Sequence, residues 1–310
     1  VPLTWDTVKT GGITPTVKTL DIEALPSEPF DSTGFKPFTA SPKEGRINFN
    51  QLPDTAFSLS ALKSHSLELT TTALQPPVIS KTLKPTATKN NPLAIYDLGV
   101  IQGMPAKFIG CIYKDKKGFL WIGAIEGLFK YDGQHVQTIV TGTTGIPILG
   151  ITEDKSGNIW FLSYNQVGTV NTTLGTIGTS ARISAVPNNI GKMTTDSDGN
   201  IWMYNFKEKA VSIIDPATGT YKNLDRKNGL SDSMAFEIAQ DKEQRLWITT
   251  YTGGVNIIDL KAGRIKHLDK SNGLHSATFS GITMDKDGRV IMGNDDGFDL
   301  LDIKNGTIKY

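Results

Sequence analysis

An all-β propeller is the fold class this chain predicts, and three observations predict it. A seven-residue phrase recurs at a near-constant interval, each copy ends in an unbroken apolar triplet, and no stretch carries helical apolar spacing. The phrase reads Asp115-Lys-Lys-Gly118-Phe-Leu-Trp121, Asp154-Lys-Ser-Gly157-Asn-Ile-Trp160, Asp196-Ser-Asp-Gly199-Asn-Ile-Trp202 and Asp241-Lys-Glu-Gln244-Arg-Leu-Trp247. A fifth copy, Asp285-Lys-Asp-Gly288-Arg-Val-Ile291, has isoleucine in place of tryptophan, and successive Asp positions lie 39, 42, 45 and 44 residues apart. A fixed period of this size signifies a stacked or radial array.

Each repeat predicts four strands. Three residues before the Asp stand Ile112, Ile151, Met193, Ile238 and Ile282, which mark a first strand. Asp-x-x-Gly is turn chemistry, because Asp bonds its own backbone two residues on and Gly tolerates positive φ. Gln244 in the Gly place predicts a turn that is looser or of a different type. The triplets Leu120-Trp-Ile122, Ile159-Trp-Phe161, Ile201-Trp-Met203, Leu246-Trp-Ile248 and Val290-Ile-Met292 do not alternate, so the second strand is covered on both faces. A polar loop leads to a third strand, as in Gly127-Leu-Phe-Lys-Tyr131 and Gly254-Val-Asn-Ile-Ile258, and an Asp-to-Gly turn leads to a fourth, as in Ile265-Lys-His-Leu268. Short antiparallel four-stranded units covered by their neighbours are propeller blades.

The pattern Asp-x-x-Gly-Asn-Ile-Trp followed by Gly-Leu-x-x-Tyr-Asp resembles the two-component-regulator propeller repeat, found in the extracytoplasmic sensor regions of bacterial hybrid histidine kinases. The segments Asn228-Gly-Leu-Ser-Asp and Asn272-Gly-Leu-His-Ser resemble that family's inter-blade linker, and the resemblance covers about residues 94 to 310. It implies a ring of about seven blades, so five visible repeats are expected to be part of a larger propeller with more blades beyond Tyr310, the alternative being that residues 1–93 supply the missing strands and close a smaller ring.

Residues 1–93 differ in kind, holding 11 of the 15 prolines but 4 of the 31 glycines. They predict an extended Pro/Thr-rich arm or linker ahead of a propeller at 94–310, because proline interrupts helices and central strands. The arm is expected to lie along the propeller wall or to dock a partner. Ala94-Ile-Tyr-Asp-Leu-Gly-Val100 reads as the fourth strand of a blade.

Net charge is +1, with 32 basic and 31 acidic residues, which leaves no surplus to neutralise phosphates and argues against nucleic acid. No run approaches the roughly 18 apolar residues of a membrane span. Single Cys111 excludes an internal disulfide and reads as a buried apolar residue. His65, His135, His267 and His275 form no metal or acid–base pair, so no catalytic residue, metal or cofactor is expected. His267 alternates with Ile265 and reads as solvated. Asp196-Ser-Asp198 and Asp285-Lys-Asp287 look like the start of a calcium loop but coincide with the repeat's own turn. The tripeptides Asp6-Thr-Val8, Asp31-Ser-Thr33 and Asp54-Thr-Ala56 resemble O-glycosylation acceptors of exported bacterial proteins and point outward, to a periplasmic or cell-surface location.

Binding is the favoured class. The loops between second and third strands vary while the flanking strands hold their pattern, as expected of a binding face on a rigid scaffold. Tyr164, Asn165, Asn205, Phe206, Tyr251 and Asp295 are the candidate ligand-binding residues, suited to stacking on and hydrogen bonding to a glycan or peptide. A non-catalytic sensor domain is the expected function. The alternative is a scaffold or accessory subunit of a cell-envelope assembly that holds a protein partner through residues 1–93.

Overall fold

The structure, a computed structural model, describes residues 42–83, 86–87, 96–97, 99–142, 145–163, 166–180, 192–205 and 209–310. Five strands precede the repeats: β1 (Glu44–Arg46), β2 (Asp54–Ala56), β3 (Ser64–Ser66), β4 (Leu69–Ala73) and β5 (Val78–Lys81). A short pair follows, β6 (Thr86–Ala87) with β7 (Tyr96–Asp97). Of the blade strand expected at 94–100, Ala94, Ile95 and Leu98 lie outside the described residues, and Tyr96–Asp97 pairs with Thr86–Ala87 instead of with a blade.

The repeats then give five blades. The first holds β8 (Ile109–Lys114), β9 (Leu120–Ala124), β10 (Gly127–Tyr131) and β11 (His135–Ile139). The second holds β12 (Ile148–Glu153), β13 (Ile159–Ser163), β14 (Val167–Asn171) and β15 (Thr176–Ser180). The third holds β16 (Met193–Thr195), β17 (Ile201–Asn205), β18 (Ala210–Asp215) and β19 (Thr220–Leu224). The fourth holds β20 (Ala235–Gln240), β21 (Leu246–Thr250), β22 (Val255–Asp259) and β23 (Arg264–Leu268). The fifth holds β24 (Phe279–Met284), β25 (Val290–Asn294), β26 (Gly297–Asp302) and β27 (Thr307–Lys309).

Each four-stranded unit is completed by a fifth strand from the arm. β1 pairs antiparallel with β27, β2 with β23, β3 with β19, β4 with β15 and β5 with β11. The arm thus visits the blades in reverse order, from fifth to first. At the end of each arm strand one N–H donates 2.8 Å to the turn between third and fourth strands. Ile47 reaches Gly306, Phe57 reaches Gly263, Leu67 reaches Gly219, Leu74 reaches Gly175 and Thr82 reaches Gln134. Asp54 adds a two-pronged ion pair to Arg264, at 2.8 and 3.1 Å. Each arm strand is thereby the outermost strand of its sheet, with one edge paired to a blade.

The core lies between blades. Each tryptophan faces the following blade: Trp121 packs with Ile151 and Ile159, Trp160 with Ile201 and Met203, Trp202 with Ile238 and Leu246, Trp247 with Ile282 and Val290. The middle strands are therefore covered on both sides, which is why their apolar triplets do not alternate. Arm residues seal the outer rim of these interfaces, Ile47 and Leu52 in one cluster and Phe57 and Leu62 in the next. In the second blade, Gly168 leaves room for the Phe161 ring, since a Cβ there would lie 2.1 Å from Phe161 Cζ.

The Asp-x-x-Gly turn has one geometry in all five copies. The fourth residue's N–H returns to the Asp carbonyl at 3.0–3.2 Å, at Gly118, Gly157, Gly199, Gln244 and Gly288 alike. The looser or different turn expected at Gln244 is thus corrected: Gln244 adopts φ 69°, the left-handed conformation that its glycine counterparts hold.

Among the described residues, the end blades each keep one uncovered face. Leu128, Val167, Val211 and Val255 are fully buried against the following blade, whereas Phe298 at the same place in the fifth blade is 64% exposed. At the other end Ile112 is 61% exposed, although its counterparts Ile151, Met193, Ile238 and Ile282 are buried. Among the described residues no sheet joins first and fifth blades.

Candidate functional site

The loops between second and third strands meet the inter-blade linkers at one end of the blades, and the fourth blade shows how. In the linker before it, Arg226–Asn228 forms one 3-10 turn capped by Asp225, Gly229 turns the chain at φ 111°, and Leu230 is buried. The linker then runs against the loop after β21. Tyr251 N–H donates to Met234 O at 3.0 Å, and Thr252 donates through both N–H and hydroxyl to Asp232 Oδ2, each at 2.8 Å. From the third blade, the Tyr204 hydroxyl donates to Ser233 O at 3.0 Å. Gly253 is required for this approach, because a Cβ there would lie 2.6 Å from Ser231 Oγ.

These contacts hold the loop while leaving Tyr251 half exposed, with its ring 5.8 Å from that of Phe236. Phe236 sits where the first strand bulges, between Ala235 and Ile238, a register shift that frees a side chain from the ladder. Asp232 is partly buried, which pushes its carboxyl up, but hydrogen bonds from Thr252, Met234 and Ser233 outweigh this and hold it below the usual carboxylate range. Burial, assisted by the Asp232 charge, pushes the Tyr204 phenol up to about 12, so it acts as a donor across the neutral range.

Glu237, next in the same bulge, links three blades. Its Oε1 lies 2.5 Å from Lys192 Nζ, and its Oε2 accepts the Ile282 N–H at 3.1 Å. At the following blade Asp295 is exposed on the loop after β25, where Asp296 N–H bonds Asn294 Oδ1 at 3.0 Å. Behind that loop Asp299 is fully buried, accepting from Asn294 Nδ2 at 3.0 Å, while its Oδ2 has no partner. Burial raises its carboxyl above the ordinary range, although His275 and Asn294 pull it down. His275 Nδ1 stands 4.0 Å from Asp299 and its ring stacks on Tyr310 at 4.6 Å.

Of the residues proposed from sequence, Tyr251 and Asp295 lie exposed on these loops in adjacent blades. Tyr164, Asn165 and Phe206 lie outside the described residues, as does the side chain of Asn205 at the end of β17. Sequence reasoning missed Phe236 and Asp232; the signal for Asp232 was present in the Asn-Gly-Leu-Ser-Asp linker. His267 is corrected: it is half-buried with Nδ1 3.1 Å from Asn256 Oδ1, and burial lowers its pKa, because β2 covers the strand that looked outermost. Cys111 is partly buried with Sγ 3.6 Å from Ile148 O, and desolvation pushes its thiol up to about 12. The Asp196 carboxylate is saturated by its own turn, accepting from Asp198 and Asn200 N–H and from the Asn200 and Trp202 side chains. Among the described residues no three His, Cys, Asp or Glu side chains gather as a metal site, and no helix is long and apolar enough to cross a membrane.

The family model of the two component regulator propeller matches residues 103–126. No curated protein matches the chain. Among solved structures, the chain is similar to the extracellular domain described for a hybrid two component system of B. thetaiotaomicron, with TM-score 0.54 and 20% identity, over 68% of this chain and 31% of that one. It is also similar to a catalytically inactive virginiamycin B lyase from Staphylococcus aureus, with TM-score 0.56 and 16% identity, over 79% and 88% of the two chains. A third likeness is to the extracellular domain described for a one component system of B. thetaiotaomicron, with TM-score 0.51 and 16% identity, over 85% and 38%. The chain spans about a third of the length of the first of these structures. At such identities the likenesses speak for the fold alone. Fold and turn chemistry converge on one architecture: this chain is a β-propeller, and its residues 103–126 match the two component regulator propeller repeat.

Proposed function

We propose that the propeller is a non-catalytic, extracytoplasmic sensor domain of a two-component regulator, and that it binds its ligand on the loop face around Tyr251. The observation that carries this reading is the Tyr251–Phe236 pair: two aromatic rings at the mouth of a bulged strand, on a loop held from below by Asp232, Thr252 and Tyr204. A held loop with the half-exposed Tyr251 ring beside the partly buried Phe236 offers stacking area at low ordering cost, which suits the face of a sugar ring or a peptide side chain. Asp295, exposed on the adjacent loop, adds a carboxylate for ligand hydroxyls or amides. The repeat's resemblance to extracytoplasmic sensor regions supports a glycan fragment as the ligand class and a location outside the cytoplasm. The lyase likeness supports no enzymatic role, since it rests on fold alone.

A glycan and peptide array, probed with the wild type and with Tyr251→Ala and Phe236→Ala variants, tests the reading. Binding reduced about tenfold or more in both variants is expected from the loss of a stacking platform. Undiminished binding by both would overturn the assignment of this face.

A further inference from the structure

One inter-blade groove lacks what fills its counterparts. In the second blade the row facing the following blade reads Trp160–Thr169–Gly178–Thr71, each residue standing beside the next on adjacent strands. The third blade has Trp202–Ile213–Lys222–Ser64 in these places, and the fourth has Trp247–Ile257–Lys266–Asp54. There the lysine ammonium donates to a carbonyl of the arm, Lys222 to Leu59 at 2.9 Å and Lys266 to Phe49 at 2.7 Å. Both carbonyls belong to long crossings, 57–63 and 47–53, that also set Leu59 and Phe49 against the inter-blade clusters. The Phe49 ring lies edge-on to Trp247 at 6.4 Å.

The second blade has none of the three. The crossing from β3 to β4 is only Leu67 and Glu68, too short to carry such a cap. Gly178 takes the place of the lysine, and Thr169 that of the isoleucine. What remains is a groove of about 230 Å3 at the turn end of the blades, reaching Trp160 and lined by Thr71, Thr169, Thr176, Asn158 and Asn171. At the same place the third blade's groove is floored by Ile213 and Lys222 instead.

The lining sets the chemistry of an occupant. Gly178 is not one of the left-handed glycines, so what it supplies is space: a Cβ there would lie 3.3 Å from Thr169 Cγ2 and 3.4 Å from Thr71 Oγ1. Thr169 Oγ1 is shielded and has no hydrogen-bond partner, a cost its isoleucine counterparts do not carry. Its Cγ2 stands toward Gly178, and a turn about χ1 exchanges the two. Asp154 is already saturated by Ser156 and Asn158 N–H and by the Asn158 and Trp160 side chains. Among the described residues the lining holds neither lysine nor arginine. Hydroxyls and amides beside an indole, without a free charge, suit a neutral ring that carries hydroxyls.

We propose that this groove is a saccharide subsite, separate from the loop face, which seats one neutral sugar ring where Phe49 and Lys266 sit in the fourth blade. It stands whether or not a ligand binds at Tyr251.

Titration of the protein with the methyl glycosides of D-glucose, D-galactose, D-mannose and D-xylose, followed by two-dimensional NMR, tests this. At least one is expected to shift the Trp160 Nε1–H and Gly178 amide signals saturably, with the millimolar Kd of a single-ring contact. Gly178→Lys, which installs the side chain of the third and fourth blades, is expected to weaken binding at least about tenfold. Thr169→Val, which keeps the shape and removes the hydroxyl, is expected to weaken it about threefold or more. No saturable shift with any of the four glycosides overturns the proposal and leaves the groove to water. Binding unchanged in both variants overturns it too. Shifts confined to Tyr251 and Phe236 assign the sugar to the loop face alone, which overturns this subsite and leaves that reading standing.

Discussion

Trp202 Nε1 donates a 2.7 Å hydrogen bond to Asp196 Oδ2, six residues earlier, with both groups buried. The same bond joins Trp121 to Asp115 at 2.8 Å, Trp160 to Asp154 at 2.9 Å and Trp247 to Asp241 at 2.8 Å. One carboxylate therefore closes the turn with Oδ1 and anchors the ring with Oδ2, so turn and inter-blade core are a single unit. In the fifth blade, which lacks the tryptophan, Arg289 Nε takes over Oδ2 at 2.6 Å.

Removing that carboxylate should be costly where the tryptophan depends on it. Asp196→Ala leaves an indole N–H and two turn N–H groups without their acceptor, and is expected to cost about 3 kcal/mol. Asp285→Ala, at a more exposed turn without a tryptophan, is expected to cost clearly less. Urea melts followed by circular dichroism measure both; equal losses would refute the coupling of turn and core.

The left-handed turn residue gives a prediction of opposite sign. Gln244→Gly relieves φ 69° in a residue with a side chain and is expected to stabilise the protein by about 1 kcal/mol, read as a higher urea midpoint. A lower midpoint would show that the Gln240 Nε2 bond to Gln244 O, or another local contact, outweighs the backbone strain.

The blades were legible because their signal is redundant. Asp, turn glycine, tryptophan and the aliphatic residue three before the Asp each recur in register, and each has one physical cause. The arm strands were not legible, because Leu52, Phe57, Leu62 and Leu67 follow a five-residue spacing that belongs neither to a strand nor to a helix. Pro53 between the first two reads as a breaker, yet it lies in the crossing between β1 and β2, where no ladder N–H is needed. The error at His267 follows from the same omission, since its strand is outermost only until β2 is laid beside it. At the site, loop variability pointed to Tyr251, but a β-bulge that sets Phe236 beside it leaves no mark in a single sequence.

The arm should behave as part of the core. Leu52→Ala and Phe57→Ala each remove a buried side chain at the rim of an inter-blade cluster and are expected to cost about 2–4 kcal/mol. Denaturant midpoints and the onset of proteolysis within residues 44–81 measure this. Variants as stable as the wild type would show that the arm is dispensable to the blades.

Asp299 sets a pH dependence. Its folded pKa lies above its ordinary 3.8 because of burial, so between that value and the raised one the folded protein holds a proton that the unfolded chain has released. Stability from this group is full below about pH 3.8 and is lost as pH rises through the folded pKa. The fourth blade has Asn256 at the equivalent place, bonded to Ser231 at 2.9 Å through both amide atoms. Asp299→Asn is therefore expected to raise stability by about 1 kcal/mol at pH 7, with the gain vanishing near pH 4. A gain that grows toward acid would contradict the assignment.

Hydrogen exchange of the tryptophan indoles, followed by two-dimensional NMR, tests the central claim most directly. Four Nε1–H signals, from Trp121, Trp160, Trp202 and Trp247, are expected to be strongly protected, and Asp196→Asn is expected to shift and expose that of Trp202 while sparing the other three. Exchange of any of the four at the rate of a free indole, or equal insensitivity of all four to that substitution, would contradict the account of each blade as a sheet pinned by its own aspartate.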